Sequence, residues 1–137
     1  MTPAQTLSTT GPTRARPVRT IAVAVLGAAV VNAGIFLAFS AAGGTFENTR
    51  MPQPVGLPAV LVLTVVPMLI GLSAAALLAR RWPGLVTVGQ VVGPALALVT
   101  IAIPATSGFD TLSFVALTLM HAMVAVAAFL GLAALKR

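Results

Sequence analysis

The chain has 137 residues, of which 58% are hydrophobic and only 7% charged, and its mean hydropathy is +1.06. A soluble domain carries about a quarter charged residues, so this composition excludes a water-soluble globular fold. The net charge of +6 reflects scarce acids rather than one basic patch, so nucleic-acid binding is not expected. With no cysteine, one histidine and two acids, the chain offers no thiol chemistry, and neither a metal site nor a cofactor is expected.

The first 19 residues differ from the rest of the chain. They are rich in Thr, Pro, Ala and Arg and show neither a helical nor a strand period. Prolines 3, 12 and 17 interrupt them. We therefore predict a disordered, basic, cytoplasmic tail over residues 1–19, followed by one four-span transmembrane domain over residues 20–137.

Four uncharged apolar blocks make up that domain. They cover about residues 20–42, 55–79, 85–105 and 112–135. Each has about 20 residues or slightly more, which is enough for a helix to cross a hydrocarbon core about 30 Å thick. Because backbone groups in lipid must be satisfied within the segment, blocks this continuous predict helices rather than barrel strands. The short connections predict an all-α, four-helix transmembrane bundle with up-down-up-down topology.

The basic residues predict the orientation of the bundle. Seven of the eight Lys and Arg residues lie in the tail, between the second and third blocks, or after the fourth block. Only Arg50 falls on the opposite side, together with the acids Glu47 and Asp110. The positive-inside rule then places both termini in the cytoplasm, with the protein in a bacterial plasma membrane. Three aromatic residues near block ends are expected at the membrane interface: Phe46, Trp82 and Phe109.

The first block has a second interpretation, which the sequence leaves open. Three arginines, an apolar run and the small residues at 38–42 resemble a secretory signal with its cleavage site. The apolar run is longer than the core of about 7–15 residues that is usual in a signal peptide. This length favours a first helix that is retained in the membrane.

Three polar side chains within the blocks form a candidate intramembrane polar site: Asn32, Gln90 and His121. Asn32 and His121 lie near the middle of the first and fourth blocks, so we expect them to be hydrogen-bond partners. An ionisable residue inside a membrane is a functional hypothesis by default, although an interhelical packing contact is its more common role. No acid lies within any block, so neither a catalytic set nor proton-coupled transport is expected.

Small residues and prolines are the remaining pattern in the blocks. Gly89 and Gly93 form a GxxxG close-packing motif in the third block, and alanines share the face of His121 in the fourth. Pro67 and Pro94 lie near the middle of the second and third blocks, where each removes a backbone hydrogen bond. Two interrupted helices beside polar side chains can mark a substrate site, although a simple kink is the more common result.

Several stretches resemble a known family. They are Ala76–Arg81, the third block after it, the segment Leu117-Thr118-Leu119-Met120-His121 with the Ala122–Ala125 that follows, the basic tail, and Asp110 ahead of the fourth block. Together they resemble an uncharacterised family of small actinobacterial membrane proteins, catalogued as a domain of unknown function. The resemblance implies a four-helix membrane protein. It implies no activity and supplies no catalytic residues.

The sequence supports two function hypotheses. The first is a structural or interaction component of the plasma membrane that packs through Gly/Ala helix faces, with the lipid bilayer and either further copies of itself or a larger membrane protein as partners. The alternative is a small-solute or lipid-binding transporter component with a midplane polar site around Asn32, Gln90 and His121. No catalytic, cofactor-binding or metal-ligating residues are predicted. A water-filled cavity that reaches His121 would favour transport, and a closed bundle would favour interaction.

Overall fold

The computed structural model describes residues 15–50 and 53–136, and over these residues it confirms an all-α bundle without β-strands. The helices are α1 (Ala15–Ala41), α2 (Leu57–Leu78), α3 (Leu85–Val99), the short α4 (Ala102–Ala105) and α5 (Thr111–Leu135). Within these ranges four segments are long and apolar enough to cross a membrane, and α3 with α4 forms one of them, Leu85–Ala105. The architecture is therefore that of a multi-pass membrane protein.

Helix α1 begins at Ala15, earlier than the start near residue 20 that we predicted. Pro17 lies in the first turn, where a missing N–H costs little because the first N–H groups of a helix have no partner within it. Proline at this position starts a helix rather than interrupting a tail. Arg16 and Arg19 consequently project from α1. The disorder that we predicted for residues 1–14 lies outside the described residues.

The third span is interrupted near its end, between α3 and α4, and not at its central proline. Pro104 cannot donate to the carbonyl of Thr100, and its ring crowds that oxygen. The N–H of Ile103 instead donates to Thr100 O at 3.1 Å, a bond to the third residue back rather than the fourth. In contrast, Pro67 and Pro94 lie within continuous helices.

The buried apolar residues form two clusters along the bundle. Helix α5 packs most extensively against α1 and α3, and α1 also packs against α2. One cluster of buried residues comprises Ile21, Val25, Ala28, Met68, Leu72, Val86 and Leu132. The other comprises Phe46, Val60, Ala116 and Met120. We call the end of the bundle with Arg16, Arg19, Arg80, Arg81 and Lys136 the basic end. The other end, with residues 42–50, 53–56 and 106–110, is the capped end.

Helix α3 is the least buried of the long helices. Val86 is its only buried residue, so most of its surface faces outward. Its two motif glycines approach α5: a Cβ built on Gly89 or Gly93 would lie 3.6 or 3.8 Å from Leu132 Cδ1. The GxxxG motif is therefore used within the chain, where it allows α3 to approach α5 closely.

Candidate intramembrane polar site

Asn32 lies inside the bundle with only 1% of its surface exposed. Its Nδ2 donates a hydrogen bond to Thr64 Oγ1 of α2 at 2.9 Å. This bond joins the first two spans at the depth where lipid offers no polar partner. The other polar atom of the side chain, Oδ1, is buried and has no hydrogen-bond partner among the described residues.

His121 is half-buried on α5, and its hydrogen bond stays within that helix. Its Nδ1 lies 2.7 Å from the carbonyl oxygen of Leu117, so this nitrogen carries the proton and donates it to the carbonyl. The hydrogen bond that we predicted between Asn32 and His121 is wrong. Asn32 donates to Thr64 instead, because α1 turns its polar side chain towards α2 rather than α5.

Gln90 lies apart from the other two candidates. It is half-buried on α3, five residues after the helix begins at the basic end. Gly89 and Gly93, on either side of Gln90, approach Leu132 of α5, and the neighbouring Gly131 approaches Ala24 of α1. Gln90 therefore lies at about the level of Ala24, eight residues before Asn32, so at about 1.5 Å per residue the two side chains differ in depth by about 12 Å. The fold therefore brings Asn32 and His121 to similar depths but does not bring Gln90 to them.

Thr118 adds a polar atom that sequence reasoning did not single out. Its Oγ1 is buried on α5, one turn before His121, and has no hydrogen-bond partner among the described residues. An unpaired buried polar atom costs about 1–3 kcal/mol. The spans α1 and α5 thus each carry one unpaired polar atom, the acceptor Oδ1 of Asn32 and the hydroxyl of Thr118.

A second polar cluster closes the capped end. Asp110 is the N-cap of α5: its Oδ1 accepts a hydrogen bond from the N–H of Ser113 at 3.0 Å. Its Oδ2 accepts from the hydroxyl of Ser113 and, at 3.1 and 3.3 Å, from the hydroxyl and N–H of Thr45. The Ser113 hydroxyl first, then its N–H and the weaker bonds from Thr45, lower the pKa of Asp110 to about 2. The ionised carboxylate therefore ties the connection after α1 to the start of α5.

Phe46, which was expected at the membrane interface, is buried within the protein at the capped end, with only 2% of its surface exposed. Its ring lies 4.6 Å, centroid to centroid, from that of Phe36 and packs with the apolar cluster at the capped end. Its backbone has a φ of 54°, in the left-handed region that residues other than glycine rarely adopt. The N–H of Phe46 donates to Ser113 Oγ at 2.8 Å, and its carbonyl accepts from Val55 N–H at 2.9 Å. These contacts hold the Phe46 ring in the interior of the bundle at the capped end.

A second contact fixes the same connection to the end of the third span. The N–H and the hydroxyl of Thr49 both donate to the carbonyl of Ser107, at 3.1 and 3.2 Å. Gly108 follows with a φ of 72°, and a Cβ there would lie 2.8 Å from Thr49 Oγ1. Only glycine satisfies both the backbone conformation and this close approach.

Two cavities lie away from the polar residues at mid-depth. One, of about 500 Å³, opens at the basic end, and Arg16, Thr20 and Arg80 are among its lining residues. The other, of about 490 Å³, is a groove on the outer surface between α1 and α5, with Gly27 and Gly131 in its wall. Asn32, Gln90 and His121 line neither of them.

Comparison with known proteins identifies a family. The model of a family of unknown function, DUF6069, matches residues 12–137. The chain belongs to the DUF6069 family. No curated protein and no solved structure matches it. The expected membership of a family of unknown function is thereby confirmed, while the actinobacterial origin of this DUF6069 member stays a prediction.

The residues that sequence reasoning missed in this DUF6069 member are ordinary polar residues in apolar surroundings. Thr64 and Thr118 did not stand out, because a threonine in a membrane helix can hydrogen-bond to its own backbone and then needs no partner on another helix. Ser113 could have been recognised, since Asp110-x-x-Ser113 places a capping residue three positions before a partner in the first turn. Nothing in the pattern around Phe46 indicated burial, because a loop aromatic at a membrane boundary usually lies at the interface.

Proposed function

We propose that the protein is a bacterial plasma-membrane component with both termini in the cytoplasm, and that it acts by lateral association with another transmembrane helix. The orientation is supported by charge: among the described residues, five of the six Lys and Arg side chains lie at the basic end and Arg50 lies at the capped end with Glu47 and Asp110. Such an asymmetry is typical of cytoplasmic positive charge. In intact cells, an impermeant thiol reagent should label Phe109→Cys and spare Trp82→Cys, and the reverse pattern would contradict the orientation.

The glycines of the helices carry the association hypothesis. Those in the bundle interior meet side chains of the same chain, as Gly131 does with Ala24 at 3.2 Å. A Cβ on Gly27 or Gly34 of α1 would meet no described residue within 4 Å, and both glycines lie on the exposed side of the helix. Seven residues separate them, so they share one face and are about 10 Å apart. Glycine within a helix costs about 0.5–1 kcal/mol relative to alanine, whereas in membranes it allows two helix backbones to approach closely.

The groove beside Gly27 gives the partner helix a place to pack. It has a volume of about 490 Å³ and runs between α1 and α5. Small residues line part of it, namely Ala24, Gly27, Ala28, Ala127 and Gly131, and larger apolar residues such as Val31, Met123 and Val126 line the rest. A groove between such side chains fits the ridge of side chains on another helix. We take the partner to be α1 of a second copy, since the face then packs against its own equivalent.

Cross-linking in native membranes tests this association. The chain has no cysteine, so a single Val31→Cys in the groove wall is a clean probe. Under mild oxidation we expect Val31→Cys to form a disulfide dimer and Ile70→Cys, on the exposed surface of α2, to remain monomeric.

Glycine substitutions supply the matched control. Adding Gly27→Leu to Val31→Cys should reduce dimer yield by about tenfold, equivalent to about 1.4 kcal/mol. Gly71→Leu, at a glycine of α2 that also meets nothing within 4 Å, should leave the yield unchanged. Equal yields from all of these variants would contradict the α1 interface. Dimer loss with both leucine variants would point to a general disturbance of the bundle rather than to this face.

One observation favours the second candidate, a small-solute or lipid-binding transporter component. The unpaired Oδ1 of Asn32 and the unpaired hydroxyl of Thr118 offer an acceptor and a donor at similar depth. His121 lies one turn from Thr118 on α5, whereas Gln90 lies at a different depth and is not part of this candidate site. Thr118→Val keeps the shape and removes the hydroxyl. A transport or growth phenotype from Thr118→Val without loss of thermal stability would favour this candidate over lateral association.

A further inference from the structure

We propose that the cavity at the basic end binds the phosphate group of an anionic phospholipid. The cavity has a volume of about 500 Å³, within the range of about 300–1,000 Å³ that is usual for small-molecule sites. It is formed where α1 begins and where α2 and α5 end. The ends of three membrane-spanning helices meet there, so the cavity lies at the depth of lipid headgroups.

Arginine supplies the recognition chemistry. Arg16 comes from the first turn of α1, and Arg80 comes from the residues just after α2. Both line the cavity from different helices, so a ligand between them can contact both guanidinium groups. Each guanidinium presents a planar set of N–H donors that matches two phosphate oxygens at once. Thr20, one turn along α1 from Arg16, offers a hydroxyl to the same space.

The electrostatic balance at the cavity favours an anion. The C-terminal ends of α2 and α5 each contribute about half a negative charge, and the N-terminal end of α1 contributes about half a positive charge. The three helix ends together contribute about half a negative charge, and the two positive charges of Arg16 and Arg80 exceed it. The acidic side chains of the whole sequence, Glu47 and Asp110, lie at the capped end, so neither can neutralise the pair.

The remaining lining favours a lipid over a soluble phosphate. Ala76, Ala79, Ala134 and Leu135 form apolar walls beside the two arginines. A phospholipid places a charged headgroup next to apolar chains in the same order. Basic pockets between transmembrane helices are known to bind anionic lipid headgroups. If the basic end is cytoplasmic, as proposed above, this lipid belongs to the inner leaflet; binding itself does not depend on that orientation.

Two adjacent arginines give a matched pair for the test. Both are exposed at the basic end, but Arg80 lines the cavity and Arg81 does not. Full-length protein in dodecyl maltoside is titrated with phosphatidylglycerol, and bound lipid is counted by native mass spectrometry at about 0.15 M salt. We expect one retained phosphatidylglycerol, with Arg80→Gln weakening its binding about tenfold. Arg81→Gln should weaken binding about twofold or less, as for a screened surface charge. Arg16→Gln should reproduce the effect of Arg80→Gln.

Two further titrations identify the ligand. Phosphatidylcholine, which has the phosphate but no net charge, should bind more weakly than phosphatidylglycerol, because its choline cation is repelled by the two arginines. Sodium phosphate at the same concentration should neither displace the lipid nor raise the melting temperature. Equal losses from Arg80→Gln and Arg81→Gln would overturn the site in favour of general attraction to a basic surface. Equal binding of both lipids would overturn the recognition of anionic charge, and protection by sodium phosphate alone would overturn the lipid as its source.

Discussion

Removing the Ser113 hydroxyl should loosen the packing of Phe46 at the capped end. Ser113 has 0% of its surface exposed, and its Oγ accepts the N–H of Phe46 while donating to Asp110. Alanine keeps the backbone and nearly the same volume, but it leaves the Phe46 N–H without an acceptor in a buried position. An orphaned buried donor costs about 1–3 kcal/mol. We expect Ser113→Ala to destabilise the protein by about 2 kcal/mol through the Phe46 N–H alone.

The unusual backbone of Phe46 makes this site sensitive. A residue other than glycine in the left-handed region carries strain of about 1–3 kcal/mol and persists only when its surroundings hold it there. Here the Ser113 bond, the Val55 bond and the contact with Phe36 provide that support. Loss of the first contact should therefore loosen the connection after α1 as well as lower the global stability.

Two assays in dodecyl maltoside measure these effects. Thermal denaturation followed by size-exclusion chromatography should show a melting temperature lower by at least about 4 °C for Ser113→Ala. Limited trypsin digestion should cleave faster after Arg50, which is exposed in the same connection. Thr106→Val is the control, because its hydroxyl is exposed and donates to carbonyls of its own chain segment. If Ser113→Ala and Thr106→Val match the wild type in both assays, Phe46 does not depend on Ser113, and the reasoning is refuted.

Three further outcomes follow from the structure. Hydrogen bonds lower the pKa of Asp110 from 3.8 to about 2, so its stabilising contribution is complete above about pH 4 and is lost as the pH falls towards 2. The melting temperature of the wild type should therefore drop over that interval, and that of Asp110→Asn should not. Gly131→Leu should cost about 1–3 kcal/mol or more, since even a Cβ would lie 3.2 Å from Ala24 and 3.3 Å from Leu72, whereas Gly71→Leu should be nearly neutral in a thermal assay. Intact-mass measurement of membrane-extracted protein should include the first span, because α1 supplies buried residues to the bundle core; a mass lacking about the first 40 residues would establish a cleaved signal peptide.

The number and approximate limits of the spans could be predicted because hydropathy alone decides them. A segment of about 20 uncharged apolar residues has one stable form in lipid, whatever its neighbours are. Helix ends were less certain: Pro17 was interpreted as an interruption, although the first turn of a helix tolerates proline. The third span breaks ahead of Pro104, near its boundary, and continues as a helix through Pro94.

The polar contacts could not be predicted, because depth along a helix does not determine rotation about its axis. In these helices the outward face is as apolar as the inward face, so the sequence gives little indication of which side faces which neighbour. Matched depth suggested Asn32 and His121 as partners, whereas rotation of α1 directs Asn32 to Thr64. The burial of Phe46 depends on contacts from residues more than sixty positions later in the chain, which no local pattern encodes.

The cavity at the basic end also shows that the first helix begins close to where the last helix ends. Arg16, from the first turn of α1, and Leu135, from the last turn of α5, line the same space, so the two limits of the bundle are neighbours. A short flexible linker from residue 136 to residue 15 would then join first and last spans without crossing the bilayer. New termini could be opened in the turn at 80–84, on the same side. Such a circular permutant would keep every helix-to-helix contact while changing the order in which the spans leave the ribosome.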